Sequence, residues 1–285
     1  MEGDIKIHSC GNATLIVEKD GSPIIATDPW LHMHTAYFGS WCTSHEIPIF
    51  HMDLLERCPY YWISHFHPDH LNLRSLLYLK AKEKTILLSK QFYNRVSNDL
   101  RRAGIKVMIL PSQKYINLDQ DLEIATFPIA NTIDSALLIK SKSCLILNLN
   151  DTNCGPSSSF VKKEISNSKH SLLLKLAGYG DADMINIYTY DGKFIEPLAA
   201  EKPAPGYLLT SQAKKIGCTH AMHFSSFHKY TRTDSNWANK YTTPENDLER
   251  GWDHKVGYFK QFSSLLITSN GFQKIASVYP EQNNL

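Results

Sequence analysis

The chain has 285 residues, 42% of them apolar and 20% charged, with a formal net charge of +2. This balance excludes a disordered chain, and so small a charge gives no support to nucleic-acid binding. Apolar runs such as residues 71–79 and 171–177 are broken by Asn, Arg or Lys and fall short of the roughly 20 residues of a membrane span.

In chain order, residues 5–8 and 13–18 alternate as strands, 19–22 read as a turn and 23–27 as a third strand, making a β-meander. A loop rich in aromatics and histidines (29–51) leads to a short helix over 52–57 and an aromatic strand over 60–64. An amphipathic helix is expected over 73–82, a strand over 85–89, a helix over 91–102 ended by Gly104, and a strand over 106–110. Strands follow at 122–127, 135–140 and 144–149, the last two joined by the polar turn 141–143. Then come a helix over 160–165, a strand over 172–177, a loop over 178–183, a breaker at 202–206, a helix over 208–216 and a strand over 218–223. Residues 231–255 read as an exposed insertion or lid. No linker divides the chain, so 1–285 is expected to be one α/β domain with helices packed on sheet faces.

Thirteen histidines stand out, and their positions decide what they mean. The six cysteines (Cys10, Cys42, Cys58, Cys144, Cys154 and Cys218) contain no C-x-x-C pair. The first residues, Met1-Glu2-Gly3-Asp4, are acidic with no apolar stretch behind them, so no export signal, a cytosolic location and reduced thiols are expected.

Residues 65–70 read His65-Phe66-His67-Pro68-Asp69-His70, directly after a strand and before a helix. In an extended segment His65 and His67 point to one side and suit one metal, while a turn at Pro68 re-aims Asp69 and His70 toward a second. Imidazole and carboxylate donors fit zinc or iron.

This H-x-H-x-D-H pattern at a strand-to-helix junction resembles the metallo-β-lactamase superfamily. The blocks Gly11-Asn12-Ala13-Thr14, Thr27-Asp28-Pro29-Trp30-Leu31, Phe38-Gly39-Ser40-Trp41, Ile63 to Leu71 and Ile146 to Asn153 resemble the metallo-β-lactamase-like part of CMP-N-acetylneuraminate hydroxylase. They are also similar to the related lactonase and N-acylphosphatidylethanolamine phospholipase D branch. The likeness runs over residues 5–230 or so. It implies an αββα sandwich with metal bound along one edge, ligated by His65, His67, Asp69, His70, Asp151 and a late histidine. Asp151 would bridge two metals. The late histidine is assigned to His223, ahead of His220 and His228, because the end of its strand reaches the same edge. Asp28 and Asn12 are expected to support the ligands through hydrogen bonds.

Two positions depart from the family pattern. The loop 128–134, where a further histidine is usual, contains none, leaving Asn131 as a weak ligand or water in that place. Asn12 stands where related chains often carry histidine. His228 and Lys229 are candidate contacts for an anionic small-molecule substrate, whereas His32, His34, His45 and His51 are assigned to the surface.

Three functions remain open at this level. The first is a hydrolase with one or two divalent transition metals, Zn or Fe, in which metal-activated water attacks a phosphoryl or carbonyl centre with Asp69 and Asp151 as catalytic groups. The second is a non-haem iron oxygenase acting on a sugar nucleotide or natural-product intermediate. Cys42-Thr43-Ser44-His45 and Cys218-Thr219-His220 stand in the wrong order for a Rieske centre, so an oxygenase would call on an external reductase. The third is a binding protein with a degraded single-metal site.

Overall fold

The computed structural model describes residues 3–90, 94–129, 133–176, 178–179 and 188–279. The first half runs β1 (Ile5–Ser9), β2 (Leu15–Lys19), β3 (Ser22–Thr27), β4 (Trp41–Thr43), α1 (Ile49–Arg57), β5 (Tyr60–Ile63), α2 (Leu73–Tyr78), β6 (Thr85–Ser89), α3 (Arg95–Arg102) and β7 (Lys106–Leu110). The second runs β8 (Ile116–Asp119), β9 (Leu122–Pro128), β10 (Ser135–Ser141), β11 (Cys144–Asn150), α4 (Ser158–Ser166), β12 (His170–Lys175), α5 (Pro205–Ile216) and β13 (His220–His223). It closes with β14 (His228–Tyr230), β15 (Gly257–Tyr258), β16 (Ser263–Thr268) and β17 (Gly271–Ser277).

Among the described residues, one large sheet has the order β17-β16-β1-β2-β3-β5-β6-β7, a second β15-β13-β12-β11-β10-β9-β8, and β14 pairs with β4 in a small two-stranded sheet. The period of two along each strand explains how they stack. Ile5, Ile7, Leu15, Val17, Ile25 and Trp62 of the first sheet meet Leu137, Ile139, Ile146, Leu172 and Met222 of the second in one buried cluster. The alternate residues Ile16, Ala26, Tyr61 and Ile63 face Leu54 and Leu55 of α1 and Leu76 of α2. On the far side Leu138, Leu145, Leu147 and Leu173 face Val161 of α4 and Leu209 and Ala213 of α5. The result is the αββα sandwich. Each fully buried large aliphatic side chain contributes about 1.5–3 kcal/mol to holding it together.

Several elements differ from the sequence expectation. The helix expected over 73–82 stops at Tyr78, because Lys80 takes a left-handed φ of +56° and a separate 3-10 turn, Ala81–Glu83, follows. The hairpin β16–β17 was not foreseen, and it extends the first sheet through antiparallel pairing of Ile5 with Ile267. The strand expected over 172–177 begins earlier, at His170, while residue 177, the loop at 180–183 and residues 91–93 lie outside the described residues. Residues 231–255 hold the 3-10 turns Asn236–Tyr241 and Glu245–Asp247. There Ala238 and Tyr241 are buried with Trp30, Trp41, Tyr179 and Tyr230. All six cysteines are free, and no helix among the described residues is long and apolar enough to cross a membrane.

Candidate metal centre

The site forms where parallel strands end together. β3 and β5 pair in parallel with Thr27 opposite Trp62, so Asp28 and Ser64 emerge at one edge. The Asp28 amide donates to Trp62 O (2.9 Å). From the second sheet, Ser135 reaches across and donates both N–H (3.0 Å) and Oγ–H (2.6 Å) to Ser64 O. The two sheets are thereby tied at the point where the ligand-type residues lie.

Asp28 is the hub. Fully buried, it accepts hydrogen bonds from Ser64 N (2.8 Å), Ser64 Oγ (2.7 Å), Asn150 Nδ2 (2.8 Å) and His70 Nδ1 (2.9 Å). Because His70 gives its Nδ1 proton to Asp28, its Nε2 faces Asp151 Oδ2 at 3.1 Å and Asp69 Oδ2 at 3.3 Å. A carboxylate behind an imidazole is the usual support of a metal-binding histidine. Ser64 Oγ, having donated to Asp28, accepts from His65 Nδ1 at 2.9 Å. That orients His65 Nε2 toward His67 Nδ1 at 2.9 Å and Asp151 Oδ2 at 3.9 Å. After Pro68 the chain turns tightly, with His70 N and Leu71 N both donating to His67 O at 2.9 and 2.8 Å.

Two groups of donor atoms result, His65–His67–Asp151 and Asp69–His70–Asp151, each with all its atoms within 4.8 Å of one another. Asp151 belongs to both. The donor chemistry fits two divalent transition metals sharing one carboxylate. Protonation tells the same story. Burial, and then the His70 charge, lower the His65 pKa to about 3, so its imidazole is neutral as a ligand must be. Burial alone would raise the Asp69 carboxyl, but the facing His70 imidazole brings it and the Asp151 carboxyl below the ordinary range. Burial would lower His70, and Asp69 and Asp151 instead raise it well above its usual value. Ionised Asp69 and Asp151 thus hold a positive charge on His70 between them.

Asn12 is oriented by Phe227, whose amide donates to Asn12 Oδ1 (2.9 Å), and Asn12 Nδ2 points to Asp69 Oδ2 at 3.5 Å. His223 places its Nε2 2.8 Å from Leu248 O. His228 is buried, stacks flat on Trp41 at 3.7 Å, and has its pKa pushed down to about 4 by burial against the opposing pull of Asp69 and Asp151. Lys229 is exposed on β14. Asn131 lies outside the described residues. Of the remaining histidines, His51 is on the buried face of α1 and not at the surface as expected, His45 pairs with Glu245 at 2.9 Å, His32 meets Thr43 O at 3.0 Å and His34 meets Ser75 Oγ at 3.2 Å.

Sequence reasoning missed several neighbours. Tyr37 OH donates to Asp69 Oδ1 (2.8 Å) and Ser225 Oγ to Asp151 Oδ1 (3.0 Å). Asp134, from the loop that lacks a histidine, places Oδ1 3.6 Å from His65 Nδ1. Lys175, at the end of β12, donates to Thr152 O beside Asp151. Tyr37 and Phe38 hold consecutive left-handed φ values of +47° and +55°, a strain of about 1–3 kcal/mol each that marks sites where geometry is imposed. Backbone strain cannot be read from residue types, and a single serine or tyrosine in a loop gives no signal.

The sandwich, with ligand-type residues gathered on one edge, is the metallo-β-lactamase fold, and the chain has it. It is similar in structure to the metallo-beta-lactamase fold protein YhfI from Bacillus subtilis (TM-score 0.51, 12% identity, 92% of this chain and 99% of that one). It is also similar to CmlA, a diiron beta-hydroxylase from Streptomyces venezuelae (TM-score 0.55, 15% identity, 93% of this chain and 54% of that one). In sequence it is similar to the cytidine monophosphate-N-acetylneuraminic acid hydroxylase of Asterias rubens, 30% identical over 159 residues. That match covers 52% of this chain, which spans only 23% of the relative's length. No family model matches the chain.

Proposed function

We propose that this chain is a non-haem iron oxygenase that hydroxylates a small-molecule substrate, a sugar nucleotide or natural-product intermediate, with electrons from an external reductase. The observation that carries the reading is the composition of the first donor group: two imidazoles and one carboxylate, His65, His67 and Asp151. This is the set that non-haem iron(II) oxygenases use with positions left open. The second group, with one imidazole and two carboxylates, is richer in oxygen donors than a typical zinc site. Support also comes from the two hydroxylases among the similar proteins.

Iron bound here supplies redox chemistry toward dioxygen. The chain's own residues do the rest. Asp28 and Ser64 fix the imidazoles by their Nδ1 atoms, and Ser225 fixes Asp151. Trp41, stacked flat on His228, and Tyr230, edge-on to both, are buried and form a dry wall that keeps bulk water from one side. Hydroxylation of a C–H bond consumes one dioxygen, two electrons and two protons, and yields the alcohol and one water.

A hydrolase with Asp69 and Asp151 as its acid–base pair is the second reading, favoured by the convergence of two ionised carboxylates on His70. An oxygen electrode separates the two. Iron-loaded protein, given a chemical reductant and CMP-N-acetylneuraminate as probe, is expected to take up dioxygen in step with hydroxylated product. Zinc-loaded protein cleaving a phosphodiester or lactone, while the iron form consumes no oxygen, would establish the hydrolase instead.

A further inference from the structure

We infer that Tyr37 is a positioning residue of the metal centre, its hydroxyl engaging one oxygen of Asp69 so that the carboxylate offers only the other to a cation. The inference rests on the metal-centre reading above. Tyr37 OH donates to Asp69 Oδ1 at 2.8 Å, whereas Oδ2 is the oxygen 3.3 Å from His70 Nε2 and 3.5 Å from Asn12 Nδ2. A carboxylate can bind an ion through one oxygen or both. With Oδ1 held by a phenol, Asp69 binds through Oδ2 alone and leaves a coordination position for substrate or water.

The placement of the phenol is built into the chain. Tyr37, Phe38 and Gly39 all have left-handed φ, +47°, +55° and +87°, although only glycine adopts that conformation without strain. Phe38 is fully exposed, so burial of its ring does not account for the turn. The ring that the turn seats is that of Tyr37, 4.5 Å from Trp41 and 6.3 Å from His67. Hydrogen bonds from Gly39 N and Trp41 N to Ala36 O (3.1 and 3.2 Å) and from Ser40 N to Tyr37 O (3.1 Å) lock it. Pairing of Trp41 with Tyr230 anchors the far end. A loop serving only as a connection has no need of two consecutive strained side-chain-bearing residues that deliver a hydroxyl to a ligand.

Cobalt(II) substitution tests this without any knowledge of the substrate. Tyr37→Phe keeps the ring and removes the hydroxyl, and Phe38→Gly relieves the turn while keeping the hydroxyl. Titration of the full chain with cobalt, followed by visible absorption, should show two ions in the wild type. In Tyr37→Phe one of the two should bind about tenfold more weakly. Its absorption per cobalt should also fall, as a carboxylate freed to bind through both oxygens raises the coordination number. Phe38→Gly should keep the wild-type spectrum. A Tyr37→Phe protein with wild-type spectrum and wild-type affinities overturns the inference. A wild type that takes up no cobalt overturns the metal-centre reading itself.

Discussion

Two buried histidine clusters on the first sheet differ in what surrounds the imidazoles. On the face covered by α1, His8 places Nδ1 2.8 Å from Ser264 Oγ and Nε2 3.1 Å from Glu18 Oε2, and Glu18 also binds Lys6 at 3.0 Å. His51 packs edge-on against His8 at 5.1 Å. Both ring nitrogens of His8 are satisfied by the protein, and the one carboxylate already has its cation. At the strand-end edge, Asp28, Asp69, Asp151 and Asp134 crowd His65, His67 and His70. Several of their nitrogen and oxygen atoms converge there on the same space. A histidine surplus therefore says little; convergence of several imidazoles and carboxylates on one space is the metal signal.

The largest effect that separates the clusters belongs to Asp28→Ala. It removes the acceptor of four hydrogen bonds inside the protein and should cost about 3–5 kcal/mol in urea unfolding. It should also weaken metal binding about 10–100-fold by releasing His70. Unchanged cobalt affinity in a folded Asp28→Ala protein would mean that His70 needs no orientation.

The other cluster should answer to acid and not to metal. Burial, and then the His8 charge, lower the His51 pKa from 6.5 to about 4. The folded chain thus binds this proton less readily than the unfolded one, so stability is complete above pH 6.5 and falls as pH drops from 6.5 toward 4. The loss amounts to about 3 kcal/mol over that range. His51→Leu should flatten this part of the stability profile with no change in metal content; an unaltered pH slope would show that His51 is not the group responsible. The smallest effect is that of Tyr37→Phe, confined to one ion of the pair.

Much of this was legible in the sequence. Strand alternation gave β1, β2, β3, β6, β7 and β9 to β11 within a residue or two, since each buries one residue in two against the opposite sheet. The motif 65–70 placed four of the five donor residues at one edge, because spacing within a turn is local information. What stayed hidden depends on long-range geometry. Ser263-Ser264-Leu265-Leu266-Ile267-Thr268 has no clean alternation, so β16 showed itself only through its pairing with β1. Tyr37 reaches Asp69 across 32 positions and Ser225 reaches Asp151 across 74, and neither residue type announces a ligand's support. His223 ends its strand with Nε2 at Leu248 O, and nothing in the residue type of His228, further on, announces a charge environment that includes Asp69 and Asp151.

The central claim is that one carboxylate, Asp151, joins two metal positions into a single centre. An anomalous-difference map from crystals of the iron-loaded protein, collected at the iron edge, tests it directly. The account predicts two peaks, one among His65, His67 and Asp151 and the other among Asp69, His70 and Asp151. A single peak with no oxygen of Asp151 in its coordination sphere would contradict it.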